Sequence, residues 1–140
     1  GPMDVRCHRM RPVFLDTVAR RFPNLRMVGV SLGDPWCEEA CETLRRHENV
    51  YFDLSHDLLR KYGSRYFRDL FWAEKSSPLR ESRTDDIWSR IVFGSAVRHD
   101  EISSIEQDHQ RLFRSLGVDE STIEAVMGGT AASILDGSSE

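Results

Sequence analysis

The stretch Phe22-Pro-Asn-Leu-Arg-Met-Val-Gly-Val-Ser-Leu-Gly-Asp-Pro-Trp36 decides the fold. Residues 26–31 read as a short buried strand, because Met27, Val28 and Val30 run together between turn signals. Leu32-Gly33 breaks the strand. Asp34-Pro35 then reads as a helix start, with a carboxylate at the N-cap and proline at the first helical position, where no N–H is needed. Glu38 and Glu39 fall in the first turn, where negative charge suits the helix dipole. A strand running straight into a capped helix is one βα unit.

The same grammar extends in both directions. Upstream, residues 4–8 read as a short opening strand that ends in His8, and residues 12–22 as a helix. Phe14, Leu15, Val18 and Phe22 are its expected core stripe, with Asp16, Arg20 and Arg21 facing out. Downstream, Trp36, Ala40 and Leu44, widened by Cys37 and Cys41, line a helix over 35–47, and residues 50–54 form a second strand. Residues 55–73 are helical with an interruption at Gly63, and the polar segment 74–86 is a loop. A third strand is expected over 90–96. Ser103-Ser-Ile-Glu106 spells a capping box for a helix that stops at Gly117, and Ser121 with Glu124 spells another. Gly128-Gly129 is expected to break that last helix, leaving one more turn at 130–135. The order (β)α-βα-βα-βα predicts an α/β fold with parallel strands joined by right-handed crossovers. Three or four strands are too few for a closed barrel of eight.

Composition limits the function. The chain has 140 residues, 39% hydrophobic and 30% charged, with a net charge of −4, which fits one globular domain. Its cations are nearly all arginine and interleave with acids, which argues against a nucleic-acid face. No apolar run approaches a membrane span, and no signal peptide is visible. Gly1-Pro2 reads as a cleavage scar, residues 3–135 as the folded unit, and 136–140 as a flexible tail. Three cysteines, Cys7, Cys37 and Cys41, form no scaffold pattern and fit a reducing, cytoplasmic setting. Cys37 and Cys41 lie i,i+4 with no further ligands at finger spacing, so they read as packing residues.

Five segments share an order and spacing with a known family: Phe22-Pro-Asn-Leu-Arg, Val30-Ser-Leu-Gly-Asp-Pro-Trp36, Asn49-Val-Tyr-Phe-Asp-Leu-Ser55, Arg90-Ile-Val-Phe-Gly-Ser95 and Gly128-Gly-Thr-Ala-Ala. Together they resemble the C-terminal half of the amidohydrolase-related metal-dependent hydrolases, which are TIM barrels of the decarboxylase and hydrolase type. The resemblance implies a (βα)4-like half-barrel. It also implies that the strand before Leu32-Gly33 ends at a metal-binding histidine, and that the strand over 90–96 ends at a metal-binding aspartate that handles the proton. Here those positions hold Ser31 and Ala96. The family's His-x-His has no counterpart. His8 matches the remaining ligand if the opening strand is the fifth of the barrel.

A catalytic Zn²⁺ or Mn²⁺ needs three or more protein ligands of fixed geometry. Serine is a poor substitute for imidazole and alanine offers nothing, so no resident metal is expected. His99 lies on the loop face where such barrels place their sites, and His56 follows Ser55 on the equivalent loop. The plainer reading of His99 is a surface histidine. His56 reads as lying near a helix start, His47 as complementing a helix C-terminus, and His109 as mid-helix without a role. Ser31 has no base spaced near it and sits in no nucleophile elbow. Tyr62, Tyr66, Phe67, Phe71 and Trp72 read as a core helix rather than a partner-binding stripe.

In a half-barrel, Met27, Gly29 and Ser31, with Val92, Gly94 and Ala96, are expected to face the axis. Val28, Val30, Ile91 and Phe93 are expected to face the helices. Uncovered strand edges then favour association, and a homodimer closing an eight-stranded barrel hides both edges at once. Three functions follow as expectations: a self-associating half-barrel without activity of its own, a metal-dependent hydrolase or decarboxylase whose site joins His8 and His99 of two chains, and an adaptor that docks on another barrel half.

Overall fold

A three-stranded parallel sheet in the order β1-β2-β3 frames the fold. The computed structural model describes residues 11–55, 57–71 and 87–137. The expected opening strand over 4–8, His8, His56 and the loop over 74–86 lie outside the described residues. Helix α1 (Val13–Arg21) precedes β1 (Met27–Gly29), α2 (Cys37–Arg46) and β2 (Val50–Asp53) follow, and α3 (Leu58–Leu70) comes next. A 3-10 turn (Ile87–Arg90) leads into β3 (Ile91–Val92), then α4 (Ile102–Ser115), α5 (Glu120–Glu124) and α6 (Thr130–Asp136). The fold is α/β, as the alternation of elements predicts. No described helix is long and apolar enough to cross a membrane.

The register fixes which face meets the helices. Met27 aligns with Val50, and Gly29 with Phe52, which in turn aligns with Ile91. Val50, Phe52 and Ile91 are buried with Ala40, Cys41 and Leu44 of α2, so this is the helix face. The expected facing of β1 is therefore inverted. Met27 and Gly29 face the helices, while Val28 and Val30 are 48% and 58% exposed. The cause is steric: Gly29 has no side chain, and the Phe52 ring fills the space above it. Ile91 faces the helices as expected, and Val92 aligns with Asp53 on the opposite face.

Helix α1 is also turned relative to expectation. Leu15 and Ala19 are the residues packed inward, whereas Phe14 and Phe22 are each 51% exposed and Val18 is exposed beside them. Polar contacts set this rotation. Asp16 Oδ1 lies 2.6 Å from His47 Nε2 at the end of α2, and Asn49 Nδ2 donates to the Phe22 and Leu25 carbonyls at 3.1 and 2.9 Å. Glu39 of α2 pairs with Arg11 and accepts the Val13 N–H at 3.2 Å, so a neighbouring helix caps α1.

Several predicted helix ends move. Asp34 does not cap α2. It sits at a cis Asp34-Pro35 bond in an extended conformation, and α2 starts two residues later from Trp36. The box at Ser103 gives way to one a turn earlier, in which the Glu101 carboxylate accepts the Arg98 N–H at 3.3 Å. At α5 the cap is Asp119, which accepts the Thr122 N–H at 2.8 Å, while Ser121 donates to the same carboxylate. Gly128-Gly129 does not break the chain, because the segment Ala125–Gly129 is a π-helical turn that carries α5 into α6. The third strand is only Ile91–Val92, since the Phe93 N–H leaves the sheet to donate to the Val126 carbonyl at 2.8 Å. Gly63 does interrupt α3, with φ 74° and ψ 169°.

Candidate functional site

The C-terminal ends of β1, β2 and β3 hold a compact polar cluster. Asp53, the last residue of β2, is its centre. Its Oδ1 accepts the Ser31 N–H at 2.6 Å and the Ser55 N–H at 3.0 Å. The Ser31 and Ser55 hydroxyls are 2.9 Å apart and hydrogen-bonded to each other. Gly94, just past β3, packs its Cα against the same carboxylate. A Cβ there would lie 2.6 Å from Oδ2 and 2.9 Å from Cγ.

Local backbone geometry explains why the residues meet. The chain leaves β1 through a 3-10 turn (Ser31–Gly33) in which Ser31 and Leu32 take φ values of 52° and 48°. Such values cost a non-glycine residue about 1–2 kcal/mol each. Burial of Leu32 and the bond from Asp53 to the Ser31 N–H hold that turn. Asp53 and Ser55 themselves form an Asx-type turn, a carboxylate accepting the N–H two residues on. Ala96 shares the left-handed conformation at φ 48° and is exposed. The two positions that the resemblance marks for lost ligands, Ser31 and Ala96, are thus both at left-handed turns after strands.

Of the two histidine candidates, His8 lies outside the described residues. His99 is exposed in a 3-10 turn (His99–Glu101) ahead of α4. Among the described residues, no three His, Cys, Asp or Glu side chains come together as a metal site. The donor set at the strand ends fits a divalent ion poorly as well. Two hydroxyls are bonded to each other, and Asp53 Oδ1 is already spent on two N–H groups. Cys37 and Cys41 are fully buried, as their packing role requires. Burial pushes the Cys41 thiol up to about 12 and raises Cys37 too, so neither offers a thiolate.

A second constellation lies where the turn after β1 meets the start of α3. Asp34 accepts from Lys61 Nζ at 2.7 Å and from the Tyr62 hydroxyl at 2.5 Å. Partial burial works against the Asp34 charge, but the Lys61 and Tyr62 hydrogen bonds outweigh it and hold the carboxyl below its ordinary value. The Tyr62 and Tyr66 rings stack at 4.3 Å, and Phe67 meets both edge-on. Phe67 and Phe71 are core residues, as expected of this helix, while Trp72 lies outside the described residues.

Sequence reasoning missed Asp53 and Ser55 as the centre of the cluster. The Asp-x-Ser spacing at a strand end was the available signal for their turn. It also missed His109, which is 1% exposed and packs against Phe93 and Phe113. Its ring neighbours come from the residue just past β3 and from its own helix, a pairing that no local pattern reveals.

Parallel strands that each lead into a helix, with a polar cluster at their C-terminal ends, describe a partial TIM-barrel-like α/β protein. The sequence profile of the amidohydrolase family matches residues 2–137, and the chain belongs to that family. No curated protein and no solved structure matches it.

Proposed function

We propose that this amidohydrolase relative is a barrel half, matching the C-terminal half of its family's fold, that lacks metal-dependent hydrolase activity and acts by associating with a second copy. One observation carries the reading: the positions expected to hold ligands are Ser31 and Ala96, and the first is tied into a hydrogen-bonded cluster that suits no divalent ion. The unit takes in residues 3–135, and its unpaired thiols fit the cytoplasm.

The open flank supports association. Among the described residues β1 is an edge strand, with Val28 on its outward face and Val30 just past its end both exposed. Phe14, Val18, Phe22 and Leu25 add apolar surface from α1 and the turn that follows it. An unpaired edge beside exposed apolar side chains favours pairing with another chain. The opposite side differs, because the Val126 carbonyl occupies the Phe93 N–H. Contact therefore starts at the β1 flank, and closure of an eight-stranded barrel requires that bond to open. Sedimentation equilibrium at micromolar concentration tests this, with a dimer mass expected and a monomer mass overturning it.

A second reading rests on His99, which is exposed beside Asp100 and Glu101. Two chains that bring His8 and His99 together could share a metal site for a hydrolase or decarboxylase. Metal analysis of the purified protein separates the readings, since stoichiometric Zn²⁺ or Mn²⁺ favours the shared site. A mixed complex with a different barrel half favours an adaptor role.

A further inference from the structure

We propose that the Asp53 carboxylate takes over the structural work of a metal ion at the mouth of this fold, tying the ends of β1, β2 and β3 together so that the chain neither needs nor gains from a divalent cation. The geometry is that of a clasp. Asp53 Oδ1 draws in the Ser31 N–H from beyond β1 and the Ser55 N–H from beyond β2, at 2.6 and 3.0 Å. The Ser31–Ser55 hydroxyl bond of 2.9 Å closes the loop. Gly94 brings the β3 end against Oδ2 so closely that no side chain fits between them.

Charge-assisted bonds from N–H groups to a carboxylate are roughly twice as strong as neutral ones. They also secure Ser31 in the left-handed conformation that turns the chain out of β1. An ion could use Asp53 only by displacing N–H donors from Oδ1 or by forcing the Gly94 backbone away from Oδ2. The first leaves part-buried donors unmet, and the second opens the packed strand ends. Hydroxyl oxygens, being neutral and hard, offer a transition metal little in return. The cluster therefore closes the mouth against the ion that the family resemblance implies. Asp53 is a positioning residue here, because it holds backbone rather than touching a substrate.

Thermal unfolding of the full chain, with EDTA, Zn²⁺ or Mn²⁺ as the only additive, tests the proposal. The melting temperature is expected to be the same in EDTA and to show no rise with either metal. Asp53→Ala is expected to lower it by about 8 °C, since both N–H groups lose their acceptor. Asp53→Asn keeps an acceptor oxygen but loses the charge, so it stays folded and melts between the two even if the alanine variant does not fold. A metal-induced rise of more than about 3 °C, one-to-one metal binding by calorimetry, or an Asp53→Asn variant that melts with the parent overturns it.

Discussion

The Phe52 ring lies over Gly29 on the neighbouring strand, filling the volume that a side chain at Gly29 would occupy. A Cβ there would overlap Cε1, Cδ1 and Cζ of a ring that is itself almost wholly buried. Gly29→Ala is therefore expected to destabilise the fold by about 1–3 kcal/mol, the usual cost of overpacking. Phe52→Leu removes the obstructing atoms. The double variant should lose less than the sum of the two single losses, as read from urea denaturation. Full additivity would mean that the ring does not sense residue 29.

Acid should weaken the protein through His109. The ring is buried and lies 2.8 Å from the Ile105 carbonyl through Nδ1, so that nitrogen carries the proton, while Nε2 makes no hydrogen bond of good geometry. Burial lowers its pKa from the ordinary 6.5, against the weaker upward pull of the Ile105 carbonyl, the Asp108 and Asp53 charges and the Leu54 backbone. The unfolded chain thus binds a proton that the folded chain refuses. The stability this gives is present above about pH 6.5 and is lost as the pH falls from there through the folded value. His109→Gln should flatten the fall in urea midpoint between pH 7.5 and 5.5 by about one proton's worth of slope. An unchanged slope would move the acid sensitivity elsewhere.

Arginines, which make up most of the cations, close helix ends across element boundaries. Arg45 Nη2 donates to the Leu70 carbonyl at the end of α3 at 2.9 Å, and Arg68 donates to Ser115 at the end of α4 at 2.9 Å. Arg26 reaches the Ser133, Ile134 and Gly137 carbonyls at the end of α6. Positive charge and several donors suit the exposed carbonyls of a helix C-terminus. Arg45 is the most informative to remove, because its side chain is only 9% exposed. Arg45→Met keeps the apolar stem but strips the donors, and is expected to cost about 1–3 kcal/mol by denaturant unfolding. Arg45→Lys should recover only part, since one ammonium cannot reproduce the guanidinium fork.

The order of elements was legible in the sequence because it depends on local signals, runs of apolar residues and the turn residues between them. Residues 26–31, 50–54 and 90–96 each contain a strand, and Gly63 interrupts its helix as expected. What failed depended on partners far along the chain. Asp34 looks like a cap, but Lys61 and Tyr62 claim its carboxylate. Gly128-Gly129 looks like a stop, but the π-helical turn accommodates both and leaves the Val126 carbonyl to accept the Phe93 N–H. At the candidate site, Ser31 was legible as a strand-end position through its neighbours Leu32-Gly33. Its bonding to Asp53 and Ser55 was not, because 22 and 24 residues separate them from it.

Helix α1 gives the sharpest test of the open flank, because its two apolar stripes have opposite fates. Leu15 packs beside Ala19 against the core, while Phe14, Val18 and Phe22 are exposed near β1, the edge strand among the described residues. Charging the outer stripe removes no core contact, so Phe14→Glu with Phe22→Glu should change monomer stability by no more than about 0.5 kcal/mol per site. The same pair of changes should abolish self-association in sedimentation equilibrium, since two like charges per copy would be buried at a shared apolar face. Leu15→Glu is the opposite control. It places a carboxylate among buried apolar side chains and should unfold the chain whatever its state of association. If the outer pair unfolds the protein as Leu15→Glu does, the stripe is part of the core. If the outer pair leaves the solution mass unchanged, the flank is not where copies meet.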